Sequence, residues 1–279
     1  NRLRYETAVQ GGLVRVLLPP ALKDRRMWLA NPSTGIRTVG VVQPVQFRDY
    51  RAEPADYVIL SNPALSNDPT PGGTDPVADY ADYRRSAAGG EYTVAVVDVH
   101  DLYEQFAYGV RYHPLAVRNF VQFVCKKWPA PPRHLLIIGK GLDYDRFRRP
   151  EVQQVLADSL FFVPTYGSPG ADQLLVMRDK RLSDLLMPVG RIAATRPADI
   201  RAYLNKVIEH EQAFTTAPQT LAGKAWMKRV IHNSGGLAGE QAFIRNYTQS
   251  MADEIGANRI GADVHTFFKT SNAPIPLAR

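Results

Sequence analysis

The chain has 279 residues, 45% of them hydrophobic, with one cysteine and a formal net charge of +7. That length can bury a sizeable core in one large domain or in two. A single cysteine excludes an internal disulfide and a thiolate metal cluster, and no apolar run approaches the ~20 residues a membrane helix needs. The chain therefore reads as soluble, or as the soluble part of something larger. It begins at Asn1 with no basic start or apolar leader, and reads as a piece of a longer protein. A positive balance favours anionic partners. Lys and Arg are scattered rather than striped, the densest group being Arg146, Arg148 and Arg149, so a solvated basic surface is expected and a nucleic-acid partner is not.

Residues 1–53 read as a β-rich lead-in: "GLVRVLLP", "RMWLAN" and "TVGVVQPVQF" are short extended runs broken by Pro, Asn and Gly. From residue 54 the pattern changes to an α/β domain running to 279. "YVILSN" is a continuous apolar run, the mark of a strand buried on both faces. Asp75-Pro76 predicts a helix N-cap with Pro at the first helical position, and Gly89-Gly90 its end. "TVAVVDV" predicts the next strand and "DLYEQF" a short helix. From Pro114 a longer helix carries Val117, Phe120, Val121, Val124 and Trp128 on one face, and prolines end it. "HLLIIG" is a third buried strand. Further on, "FFVPTY" and "QLLVMR" predict a hairpin and "LMPVGRIA" a strand. Residues 197–212 predict a helix with Ile200, Tyr203, Leu204, Val207 and Ile208 inward. "MKRVIHNSGG" predicts a strand, residues 239–255 a helix with Ile244, Tyr247, Met251 and Ile255 inward, and "DVHTFF" a last strand. Buried strands joined by helices imply a mostly parallel sheet with right-handed crossovers.

Ligands of such sheets bind beyond the carboxyl ends of the strands. That selects Ser61-Asn62, Asp98 to His100, Lys140 to Asp145 and Asn233 to Gly236 as the loops of interest. "GKGLDYD" is not a phosphate loop. It lacks the earlier Gly and the following Ser or Thr, and Asp143 and Asp145 would repel a phosphate. Cys125 falls mid-helix, where a thiolate is not stabilised. The six histidines show no metal-ligand spacing. Asp98 and His100 end a strand together, though an N-cap role for Asp98 or Asp101 explains them as well. From the residues alone no catalytic set is complete.

The order and wording of several segments resemble the gingipain-type cysteine peptidases, family C25. They are "ADYVILSNPAL", "YTVAVVDVHDLYEQFAYGVRYHPLAVRNFVQF", "HLLIIGKGLDYD", "VPTY" followed by Ala171-Asp172-Gln173, and "MPVGRIAATRPADIRAYLNKVIEHE". The resemblance covers about Tyr57 to Ile255, and the lead-in is most similar to the family's type IX secretion signal peptidase, or sortase. It implies a caspase-like (Rossmann-like) fold, a mostly parallel sheet flanked by helices and preceded by a short β-rich segment. It also implies a thiol endopeptidase in which Cys attacks and His is the base, on the extracellular side of the outer membrane. Such an enzyme removes the C-terminal signal of secreted cargo and can pass the cargo's acyl group to an anionic lipopolysaccharide amine. The implied partners are secreted proteins with a C-terminal signal, outer-membrane secretion components and that lipopolysaccharide. The family's catalytic His and Cys fall downstream of "DVHTFF" in order, so both are expected after Arg279, and neither His265 nor Cys125 takes the role. By resemblance Asp172 matches the acidic P1-pocket position of arginine-specific relatives, with a loop-capping or calcium-binding role as the alternative. Asp143, Tyr144, Asp98 and His100 would shape the cleft rim. No cofactor is implied beyond a structural calcium. A non-catalytic surface protein of the same fold, and a phosphate- or nucleotide-binding domain, are the rival readings.

Overall fold

The structure is a computed structural model that describes residues 7–11, 13–16, 44–70, 72–143, 160–178, 184–257 and 261–269. It divides into two compact units, residues 1–46 and 47–279. In the first, β1 (Thr7–Gln10) and β2 (Leu13–Val16) pair antiparallel with Gln10 opposite Leu13. The tight connection uses Gly11 at a φ of 60°. "RMWLAN" and most of "TVGVVQPVQF" lie outside the described residues. The change of sequence pattern falls at 53/54, whereas the compact units divide at 46/47. Residues 47–53 group with the second unit, where Tyr50 is buried in the core and accepts a 2.6 Å hydrogen bond on its carbonyl from Trp128 Nε1.

The second unit is built on a four-stranded parallel sheet of β3 (Tyr57–Ser61), β4 (Val94–Asp98), β5 (His134–Ile138) and β6 (Val189–Ile192), in the order β4-β3-β5-β6. Tyr57 stands opposite Val94 on one side and His134 on the other, so the three strands end level at Ser61, Asp98 and Ile138. Helix α1 (Pro76–Arg85) links β3 to β4, and α2 (Val99–Phe106) with α3 (Pro114–Lys127) links β4 back across to β5. The two crossovers run in opposite directions along the sheet. Right-handed connections then put α1 on one face and α3 on the other. Helix α4 (Pro197–Thr216) follows β6 and packs on α1, while α2 packs on α3. The expected parallel α/β sheet flanked by helices is the architecture observed.

The helix starts follow from their caps. Asp75 accepts from the amides of Val77 (2.8 Å) and Ala78 (3.2 Å), with Pro76 supplying a preset φ and no surplus N–H. Asp199 accepts from the amides of Thr195 and Arg196 at the head of α4. Helix α3 buries Val117, Phe120, Val121 and Val124, as its spacing predicts, and Trp128 beyond its end is buried too. Phe120 meets Tyr50 and Phe106 with ring centroids at 5.1 and 5.6 Å, both edge-on, the geometry aromatic quadrupoles favour.

Five expectations are corrected. "FFVPTY" is not a strand: residues 161–164 form a buried covering segment whose Phe162 and Val163 amides both reach the Lys140 carbonyl, and Pro164 has no N–H to extend a ladder. In place of a second hairpin strand, Asp172–Leu175 is a 3-10 turn, and a bridge between Met177 and Leu185 is what pairs there. The strands also do not form one continuous sheet among the described residues. Strands β7 (Arg229–Ser234) and β8 (Asp263–Phe268) make a separate parallel pair, joined by α5 (Gln241–Ala257). The supposed inward face of α5 is partly open, with Tyr247 62% and Met251 44% exposed. Tyr203 of α4 is likewise exposed. No helix among the described residues is long and apolar enough to cross a membrane.

Candidate functional site

The level strand ends create one polar edge. Ser61 and Asp98 are register neighbours on adjacent parallel strands. Ser61 is buried, and among the described residues its hydroxyl has no hydrogen-bond partner. Asn62, next in the chain, is also buried; its amide nitrogen donates to the Phe162 carbonyl at 3.1 Å and its oxygen accepts from the Ala64 amide. This ties the covering segment down over β3. Gly139 makes that approach feasible: its φ is +134°, and a Cβ there would stand 2.8 Å from the Cβ of Phe162.

Asp98 caps α2, accepting from the His100 amide at 2.8 Å. Burial pushes its carboxyl above the usual Asp value, against the pull of that amide and of His100. The His100 ring lies 3.8 Å from the same carboxylate and 6.0 Å from the Tyr103 ring. Tyr103 is buried on α2, and burial raises its phenol strongly. Tyr112 stands beside it at 6.0 Å and stacks edge-on with Phe161 at 5.0 Å.

At the other end of the edge the organising residue is Arg191 of β6. Its guanidinium uses all five donors. Nε and Nη2 reach the two oxygens of Asp172, each at 2.7 Å; Nη1 reaches the carbonyls of Gly139 (2.6 Å) and Val163 (3.0 Å); Nη2 also reaches that of Pro164 (3.1 Å). The pair is largely shielded, with side-chain exposures of 13% and 20%. A planar fork saturated in this way fixes three chain segments at once. From the opposite side, Asp143 accepts from the Gly170 amide at 2.7 Å. Asp143 and Asp172 thus flank one turn, which includes the cis Ser168-Pro169 bond. Helix α3 holds the same segment from below, through Arg118 to the Leu174 carbonyl and Gln122 to that of Met177.

Of the residues selected by sequence, Asp143 and Asp172 come together around this turn, and Asp98 and His100 sit at the other end of the same strand edge. Tyr144 lies outside the described residues. Asp172, expected in a P1 pocket, has both oxygens engaged by Arg191 within the chain. Cys125 lies on α3, half-buried, and burial raises its thiol, the opposite of what a nucleophile needs. His265 faces outward mid-β8, 3.2 Å from Asp263. Sequence reasoning selected the Ser61-Asn62 loop but missed Arg191 and Tyr103. For Arg191 a signal existed, since an arginine between Gly190 and Ile192 in a strand must find partners. No cluster of ligating side chains that could hold a metal ion occurs among the described residues.

Residues 50–274 match the profile of Peptidase family C25. The chain belongs to this family. C25 membership makes it a chain of the cysteine-peptidase class. Among solved structures, dimeric latent PorU from Porphyromonas gingivalis is similar to 66% of this C25 chain at 20% identity, with a TM-score of 0.43. The match takes in 20% of that protein, so the chain spans about a fifth of its length. No curated protein matches the chain.

Proposed function

We propose that this chain is the leading part of a secretion-linked cysteine endopeptidase, and that its nucleophile and base come from sequence beyond Arg279. In this reading the enzyme acts on the extracellular side of the outer membrane. It removes the C-terminal signal of secreted proteins and passes the acyl group to an anionic lipopolysaccharide amine. The observation that carries the proposal is the family match over residues 50–274. The environment of Cys125 supports the second half: a half-buried mid-helix thiol with a raised pKa, near Arg178, is a packing residue. The role of the present strand edge is then to shape a wall for a polypeptide. We leave Asp172 out of substrate recognition, because Arg191 already neutralises it at both oxygens.

The test is an active-site thiol probe on the intact protein, beside a Cys125→Ser variant. Equal labelling of both, at a cysteine outside this chain, together with cleavage of a reporter carrying a C-terminal secretion signal, is the expected result. Labelling that disappears with Cys125→Ser would overturn the assignment of the nucleophile. No labelling at any cysteine would favour a non-catalytic surface protein that kept the fold.

A further inference from the structure

Strand β4 ends the four-stranded sheet, and among the described residues no strand pairs with its outer side. An open edge of a sheet is a template for another chain. Here two outward carbonyls, two residues apart, are already taken. Arg48 Nη1 donates to the Val96 carbonyl at 3.1 Å, and Arg85 Nη2 donates to the Val94 carbonyl at 2.9 Å. The two arginines come from different places, one ahead of the first 3-10 turn and one from the last turn of α1. Each is held in aim by its own carboxylate: Arg48 Nε bonds Glu53 at 3.0 Å and Arg85 Nη1 bonds Asp82 at 2.7 Å. The Arg48 guanidinium also lies over the Tyr50 ring, 5.1 Å from its centre. Pro54, which has no N–H to offer, lines the same groove with Ala55 and Ala95.

We propose that Arg48 and Arg85 guard the β4 edge against pairing with a second copy of this chain. The mechanism is twofold. Each guanidinium fills an acceptor that an incoming strand would need. A second copy arriving across a two-fold axis would also have to break the Arg48–Glu53 and Arg85–Asp82 pairs that hold both guanidinium groups in place before it could reach those acceptors. The strand behind the guards is short and aliphatic, with Val94, Ala95, Val96 and Val97 in a row, so among the described residues the guards are what separates it from a sticky edge. This inference is independent of the peptidase reading.

The experiment is sedimentation velocity on the intact protein across a concentration series, comparing parent, Arg48→Ala/Arg85→Ala, and that double variant with Val96→Pro added. The expected result is a concentration-dependent shift of the double variant to a species of about twice the parent's mass, and reversal of the shift by the proline. A double variant that stays folded by circular dichroism and sediments like the parent would overturn the proposal. So would association that persists with Val96→Pro, since it must then use another surface. Should the double variant fail to fold, the single Arg85→Ala variant frees the Val94 carbonyl and leaves the Arg48–Glu53 pair in place. It is expected to shift in the same direction by a smaller amount, and an unchanged profile there also overturns the proposal.

Discussion

The four-stranded sheet and the β7–α5–β8 unit share one order of elements, a strand, a helix and a second strand running the same way, but β3 is a continuous apolar run while β7 mixes polar and apolar residues, and they end in different physical states. In the first, Val58, Ile59 and Leu60 are buried and α3 presents Phe120 at 0% exposure. In the second, Ile231 of β7 is 62% exposed and Phe243 of α5 is 75% exposed. The difference lies partly in cover. Strand β3 has neighbours on both edges and helices over both faces. Among the described residues the β7–β8 pair has one helix, and a parallel sheet normally needs both faces covered. The same order of elements thus yields a dry core or a half-wet pair according to the strand's own residues and to what is packed against it.

The largest expected contrast is in core truncation. Phe120→Ala removes a buried ring and is expected to lower stability by about 3–5 kcal/mol, while Phe243→Ala should stay within about 0.5 kcal/mol. Urea unfolding of the two variants measures both, and equal losses would break the comparison. Next comes Arg191→Ala, which strands a shielded Asp172 and three carbonyls, with an expected loss of about 3 kcal/mol. Hydrogen exchange should rise at residues 163–172 and stay unchanged in β7. Arg191→Lys should recover only part of the loss, because a single ammonium cannot serve both Asp172 oxygens and the carbonyls together. A smaller effect is expected at the caps. Asp75→Ala should cost about 1 kcal/mol, whereas Asp98→Asn keeps an amide-accepting oxygen and removes a charge that burial disfavours, so its melting temperature should hold or rise slightly.

The smallest effect is pH-dependent. Burial, helped by Arg133 and Arg84, pushes His134 of β5 below the ordinary histidine value. Its folded pKa lies under the unfolded one, so below about pH 6.5 the unfolded chain binds more protons and stability falls as pH falls. Stability is therefore kept above that window and lost on acidification through it. His134→Gln should flatten this part of a melting-temperature-against-pH curve, and an unchanged slope would assign the acid sensitivity elsewhere.

Much of the fold was legible because it rests on short-range rules. Asp75-Pro76 capped a helix as written, and the apolar face of α3 was buried residue for residue apart from solvent at its ends. "YVILS", "VAVVD" and "HLLII" became level parallel strands. The site was legible only in outline. Topology selected the strand-end loops containing Asp98, His100 and Asp143, and the family resemblance selected Asp172. Neither disclosed that Asp172 serves Arg191, since the partners are 19 residues apart and joined only once β6 lies beside β5. "FFVPTY" misled for a related reason: its apolar residues are needed as a cover over the strand ends, and apolar runs look the same whether they pair or merely shield.

The amino-acid order by itself determined the alternation of strands and helices, their caps, the parallel direction and the family, because each depends on residues within a turn or two or on crossover handedness. Only the tertiary structure decided which carboxylates are spent, which edge is guarded and which faces stay wet. Those outcomes depend on groups far apart in the chain meeting across a sheet, where burial and charge are set by the neighbours and not by the residue.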